Sequence, residues 1–137
     1  MRVEAEDGRL VAPMVRASEA GASNGWYVHT PPDQYGGEDL IDFTIPIDGI
    51  YVIWGRAWGI GWGNDSFWVS MDSGSEANWA IPHDRWQWDL VDNLVGGTTV
   101  PITYSLSAGR HQLRVRTREH GSRLDVVDIT NDLGFQP

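Results

Sequence analysis

The sequence predicts an all-β domain, a two-sheet antiparallel β-sandwich of the jelly-roll kind, and three observations carry the prediction. Hydrophobic residues recur with a period of 2 rather than 3.6 along nearly the whole chain. Turn-forming residues interrupt that alternation at short intervals, with 16 glycines and 7 prolines in 137 residues. No segment offers ten residues of helical spacing free of Gly or Pro. The first extended run covers 2–6, and the next, 39–45, is rich in Leu, Ile, Phe and Thr. Pro46 and Asp48-Gly49 then turn the chain into 50–57, which carries Tyr51, Val52, Ile53 and Trp54. A run at 65–72 ends at Asp72-Ser73-Gly74, and 86–91 and 100–106 lie on either side of Gly96-Gly97. After Ala108-Gly109, residues 110–118 give the clearest pattern: His111, Leu113, Val115 and Thr117 alternate with Arg110, Gln112, Arg114, Arg116 and Arg118. That is a half-buried strand with a ladder of arginines on its outer face. Gly121 precedes the last run, 123–130, and residues 131–137 read as a tail leaving it.

At this length residues 1–137 make one domain, large enough to bury roughly two thirds of its unfolded surface without staples. The absence of cysteine removes disulfides, zinc–thiolate sites and thiol nucleophiles together. With 10 Lys+Arg against 19 Asp+Glu, the net charge of −9 repels phosphate backbones and anionic lipid headgroups. Neither nucleic acid nor membrane is therefore an expected partner, whereas an acidic surface suits calcium. No run reaches the ~18 apolar residues of a membrane span. Met1 leads directly into Arg-Val-Glu-Ala-Glu, so the signal peptide of a secreted parent would be cleaved or lie on another segment.

Seven of the eight tryptophans fall between Trp54 and Trp88, more indole than so small a core needs. Partly exposed indoles present rigid flat faces, so the expected ligand is flat and bears hydroxyls. Trp54 and Trp68 stand within strands among bulky neighbours and are expected in the core. Trp58, Trp62 and Asn64 lie in a glycine-rich stretch with no strand period to enforce burial, which makes them the candidate contacts. Glu4 and Glu6, two apart on a strand, would point to one side, where their charges call for calcium or for a basic neighbour such as the arginine ladder. Catalysis is not expected. Asp84 lies near Asp89 and beside His83, but His29, His83, His111 and His120 each stand alone, without a Gly-x-Ser-x-Gly elbow or a His-Glu-x-x-His motif.

Five segments occur in an order that resembles carbohydrate-binding modules of families 6 and 35. They are Val3–Gly8, Ala22–Val28, Gly49–Arg56, Asp65–Gly74 and the closing pair Ala108–Leu113 with Arg118–Thr130. The resemblance implies a non-catalytic jelly roll that attaches a secreted polysaccharide-degrading enzyme to its substrate. It implies a structural calcium held by Glu4, Glu6, a carbonyl near Ser23 and Asp132, with Asp128 as the second choice of acid. It also implies a cleft among the loops at one end, flanked by Trp86 and by Tyr35. Where the family often has Asn, this chain has Arg123, whose forked donor suits a ligand with a carboxylate or sulfate. Alternatively, Arg123 holds Asp125, Trp86 and Trp88 pack in the core, and the tryptophan-rich patch docks against another module of a secreted protein.

Overall fold

The computed structural model describes residues 1–137, arranged as fourteen strands and two short 3-10 turns without an α-helix. In chain order the strands are β1 (Arg2–Glu4), β2 (Arg9–Val11), β3 (Val15–Ser18), β4 (Trp26–His29), β5 (Glu38–Ile45), β6 (Gly49–Trp58) and β7 (Ser66–Met71). They continue with β8 (Ala77–Ala80), β9 (Gln87–Leu90), β10 (Asp92–Val95), β11 (Thr98–Pro101), β12 (Tyr104–Leu106), β13 (Gly109–Thr117) and β14 (Arg123–Thr130).

Seven strands form one sheet in the order β12-β6-β14-β4-β3, with β1 sharing an edge of β14 with β4, and β9 sharing an edge of β6 with β12. The facing sheet runs β2-β5-β13-β7-β8, and β10 and β11 form a separate hairpin. Every ladder between named strands is antiparallel. The two sheets close on a cluster of 21 buried residues, as a sandwich requires when each sheet has one apolar face. Ile41, Phe43 and Ile45 come from β5, Leu113 and Val115 from β13, and Tyr51, Ile53 and Ala57 from β6. Arg114 and Arg116 of β13 face outward and pair with Glu38 of β5 and with Glu76 in the loop before β8, and Arg118, just past the strand, pairs with the adjacent Glu119.

Several expectations need correction. The 2–6 run ends as a strand at Glu4, because Ala5–Asp7 form a 3-10 turn that buries Ala5. The 100–106 run is broken between Pro101 and Tyr104 into β11 and β12. Trp54 and Trp68 are half-buried on outer faces. In β6 the inner phase belongs to Tyr51, Ile53 and Ala57, and in β7 to Phe67, Val69 and Met71, so the intervening indole of each strand points away from the core. Trp68 lies under the Arg116 and Arg118 guanidiniums, 5.9 and 5.4 Å from its ring. The core indole is instead Trp79, fully buried, with its Nε1 donating to Asp89 Oδ2 at 2.8 Å. Gly55 is opposite it on β6, where any Cβ would stand 2.2 Å from Trp79 Cη2.

Candidate functional site

Three strand ends meet at one end of the seven-stranded sheet. Arg123, the first residue of β14, pairs with Trp58, the last of β6, and with His29, the last of β4. The loops leaving these ends hold one another through backbone hydrogen bonds: Gly59 N–H to the Pro82 carbonyl at 2.7 Å, Gly121 N–H to Thr30 at 2.8 Å and Ile81 N–H to Asp65 at 2.8 Å. Gly59 and Gly121 have to be glycine here. A Cβ on Gly59 would lie 2.6 Å from Asp65 Cβ, and one on Gly121 would meet Ile60 at 2.6 Å while φ is +82°.

Two large rings stand in solvent on this scaffold. Trp62 is 90% exposed and Tyr35 is 79% exposed. Neither is loose, since each rests on the edge of a histidine. Trp62 meets His83 with centroids 4.6 Å apart at 90°, and Tyr35 meets His120 at 5.5 Å and 84°. His83 is fixed in turn by Asp65. Asn64 is tied to the neighbouring loop, its amide Nδ2 donating to the His120 carbonyl at 2.7 Å, while its Oδ1 has no protein partner.

At the same end, the outer face of the seven-stranded sheet carries an arginine–aromatic stack that serves as a wall. Trp58 belongs to the end of β6 and not to the glycine-rich loop, and it is half-buried there. Its ring lies edge-on to Trp86 at 5.7 Å, and Trp86 lies edge-on to Tyr27 at 5.6 Å. The Arg123 guanidinium covers Trp58 at 4.7 Å and Tyr27 at 5.0 Å. Arg123 does not hold Asp125, a role taken by Arg56. The acidic partner of Arg123 is Glu19, whose Oε2 accepts from Arg123 Nη1 at 3.3 Å and from Trp86 Nε1 at 3.2 Å. Burial and the nearby Arg123 charge both lower the His29 pKa, which favours neutral imidazole. Sequence reasoning missed Glu19, Tyr27 and His120, because their roles come from strand register and loop contact and not from spacing. No enclosed cavity accompanies the rings. A concavity of about 380 Å³ bounded by Met1, Ile45, Ile47 and Tyr51 lies at the far end of the sandwich.

The expected metal set is brought together only in part. Glu4 accepts from the Ser23 hydroxyl at 3.0 Å, while the Ser23 carbonyl accepts the Trp26 N–H within the 3-10 turn Ser23–Gly25. Glu4 and Glu6 each keep one buried carboxylate oxygen, Oε2, without a hydrogen-bond partner. Burial pushes the Glu6 pKa up, and the charges of Glu4, Asp7 and Asp125 add to the effect. Asp132 is not part of the group. Glu4 pairs with Val126 and Arg2 with Asp128, so β14 runs away from Glu4 toward Asp132, which caps its own turn through the Gly134 N–H. Asp128 is bound bidentately by Arg2 at 2.9 and 2.6 Å. The acid of β14 whose charge reaches both Glu4 and Glu6 is Asp125, fully buried, receiving the Ser23 N–H at 2.8 Å and paired with Arg56. Asp39 is also fully buried with both oxygens unpartnered; burial, with a contribution from Glu6, pushes its pKa up to about 7. Gly8 allows that approach, since a Cβ there would fall 1.9 Å from Asp39 Oδ1.

No protein-family model and no curated protein matches the sequence. Solved structures do match. A GH26-CBM35 β-(1,4)-mannanase from Podospora anserina superposes with a TM-score of 0.79 at 16% identity, covering 100% of this chain and 28% of its own. A family 35 carbohydrate-binding module from Clostridium thermocellum gives 0.73 at 20% identity, covering 95% of this chain and 98% of the module. The C-terminal family 6 module of a marine laminarinase from Zobellia galactanivorans gives 0.64 at 20% identity, covering 95% and 98%. The chain thus corresponds to free-standing modules end to end and to little more than a quarter of the mannanase. It has the two-sheet antiparallel β-sandwich fold of the family 6 and family 35 carbohydrate-binding modules.

Proposed function

We infer that the protein is a non-catalytic carbohydrate-binding module that uses the loop end of the sandwich to hold a polysaccharide. The observation that carries this reading is the pair of solvent-exposed rings, Trp62 and Tyr35, each fixed edge-on to a histidine beside the Trp58–Trp86–Arg123 wall. A large apolar ring in water costs free energy unless a ligand covers it, and a ring already held in place loses little entropy when a sugar face stacks on it. The open shape suits a chain lying across the surface. Trp58, Trp86 and Arg123 supply the wall, Asn64 fixes the loop, and affinity falls in the range of about 10 μM to millimolar that a small hydrated ligand permits. Its resemblance in fold to modules of glycan-degrading enzymes supports attachment to such an enzyme and a secreted setting.

We propose a structural calcium beneath β1, where no three acids are gathered as a ready-made site and two acidic side chains are left short of partners. Glu4 and Glu6 offer two unpartnered buried oxygens, and buried carboxylates without donors are costly. Glu4, Glu6 and Asp125 carry three negative charges there, of which Arg56 offsets one, and a divalent cation would balance the rest. Glu4 and Glu6 would hold it through their unpartnered oxygens, with the second lone pair of the Ser23 carbonyl, because both Asp125 oxygens are already taken by the Ser23 N–H and Arg56. Such an ion would fix the first strand to β14 and take no part in sugar contact.

Affinity gel electrophoresis against a panel of polysaccharides tests the binding role. Retardation of the wild type by at least one glycan, lost in Trp62→Ala and weakened in Tyr35→Ala, is the expected outcome. If no glycan retards the protein the reading is wrong, and if Trp62→Ala dissociates a stable oligomer the surface is a protein interface.

A further inference from the structure

We propose that the Glu19–Arg123 ion pair makes this surface selective for neutral sugars with adjacent hydroxyls, and that Glu19 is the residue that rejects uronate and sulfated glycans. This rests on the carbohydrate-binding reading above and assigns its ligand class. The pair is built into the wall. Arg123 is clamped between the Trp58 and Tyr27 faces at 4.7 and 5.0 Å, and its Nη1 donates to Glu19 Oε2 at 3.3 Å. Trp86 Nε1 donates to the same Glu19 oxygen at 3.2 Å, which ties the carboxylate to the aromatic stack. Of the five N–H donors of Arg123 only one, on Nη1, has a protein acceptor; Nε is buried beyond a ligand's reach, so Nη2 is the donor left to face a ligand, and Glu19 Oε1 accepts no hydrogen bond from the protein.

A vicinal diol satisfies both groups, because one hydroxyl accepts from the guanidinium while its neighbour donates to the carboxylate. A carboxylate or sulfate only accepts, so it answers Arg123 and opposes Glu19. Of Arg56, Arg118 and Arg85, the first two are already neutralised by acids. Arg56 is paired with Asp125 and also donates from Nη1 and Nη2 to the Gly21 carbonyl at 3.2 Å. Arg118 is paired with Glu119, whereas Arg85, exposed in the loop before Trp86, has no acidic partner. The net charge of −9 adds a long-range repulsion toward polyanions. Arg123 read alone suggests an anionic ligand; read with Glu19, it suggests the reverse.

The test compares retention of the wild type on immobilised neutral polysaccharides with retention on polygalacturonate, alginate and heparin at about 0.15 M salt. The wild type is expected to hold a neutral glycan at least about tenfold more tightly than any polyanion. Glu19→Gln, which keeps the size and a carbonyl oxygen for Trp86 Nε1, should lose about tenfold on the neutral glycan and gain salt-sensitive retention on polygalacturonate. Glu19→Asp should recover part of the neutral binding. A wild type that prefers polyanions overturns the proposal while leaving the carbohydrate-binding role standing, as does a folded Glu19→Gln with unchanged preference. Retention on neither class overturns both.

Discussion

Gly55→Ala should destabilise the protein through a single close approach. The new methyl would stand 2.2, 3.0 and 3.2 Å from three atoms of the Trp79 benzo ring. Carbon contacts settle at about 3.5–4.0 Å, so the ring must retreat by more than about 1 Å. It has nowhere to go. Trp79 is fully buried, packs beside Phe67 with centroids 6.0 Å apart, and is pinned by its Nε1 bond to Asp89 at 2.8 Å. Overpacking of this kind costs about 1–3 kcal/mol, and loosening a hydrogen bond to a carboxylate adds about 1.5–3 kcal/mol. The entropic gain of Ala over Gly in the unfolded chain returns about 0.4–1 kcal/mol, because Gly55 sits in a strand and not in a left-handed turn. The net loss is about 1.5–5.5 kcal/mol, a fall in melting midpoint of about 5–16 °C for a domain of this size. Thermal unfolding by near-UV circular dichroism reads the shift. Trp79→Phe in the same chain makes room for the methyl, so the double variant should lose less than the sum of the singles. A Gly55→Ala protein that melts with the wild type would show that the sheets are not closed on Trp79 as described.

Trp62→Ala should behave in the opposite way, moving the midpoint by less than about 3 °C, because only a tenth of the ring's roughly 200 Å² is covered; a loss comparable to that of Gly55→Ala would make Trp62 a packing residue. Excess chelator should lower the midpoint by about 5–8 °C if calcium at about a hundred times its dissociation constant is lost from the folded state, and Glu4→Gln should make the melt insensitive to chelator. Superimposable wild-type melts with and without chelator would remove the ion from the account. His111→Gln should be most costly at pH 5–6. The Ser107 carbonyl and Asp72 raise the His111 pKa, so its stabilisation is full below the unfolded value of about 6.5 and is lost as pH rises through the raised folded value. Burial opposes ionisation of Asp72, but His111 and the Gln112 N–H outweigh it and lower its pKa, so its share is present above about 3.9 and is lost as pH falls through the lowered value. Equal costs at pH 5.5 and pH 8 would refute the pairing.

The fold was legible because period-2 alternation and glycine-marked turns are local signals. β5, β6, β7, β13 and β14 lie within a residue or so of the expected runs. Short strands such as β2, β3 and β8 were not legible, since three or four residues carry too little alternation to be distinguished from loop. The phase of a strand is also hidden when both its neighbours are bulky. Trp54 and Trp68 were therefore misplaced inside, while Trp79, in a strand too short to detect, holds the core. Trp62 was accessible to sequence reasoning because a loop aromatic among glycines has little to pack against, and Tyr35 came only from the resemblance to carbohydrate-binding modules. The Glu19–Arg123–Trp86 group was not, since it joins residues more than sixty positions apart through the pairing of β14 with β6 and β4. The same register excluded Asp132 from the acids beneath β1 and brought in Asp125.

Titration of ¹⁵N-labelled protein with the neutral oligosaccharide that corresponds to the best-retained glycan gives the most direct test of the central claim, because each indole N–H reports separately. Shifts in the Trp62 and Trp86 indole signals that saturate together, with Trp79 and Trp88 unmoved, are the predicted result. A titration that leaves Trp62 and Trp86 fixed, or that moves only indoles away from the loop end, would contradict it.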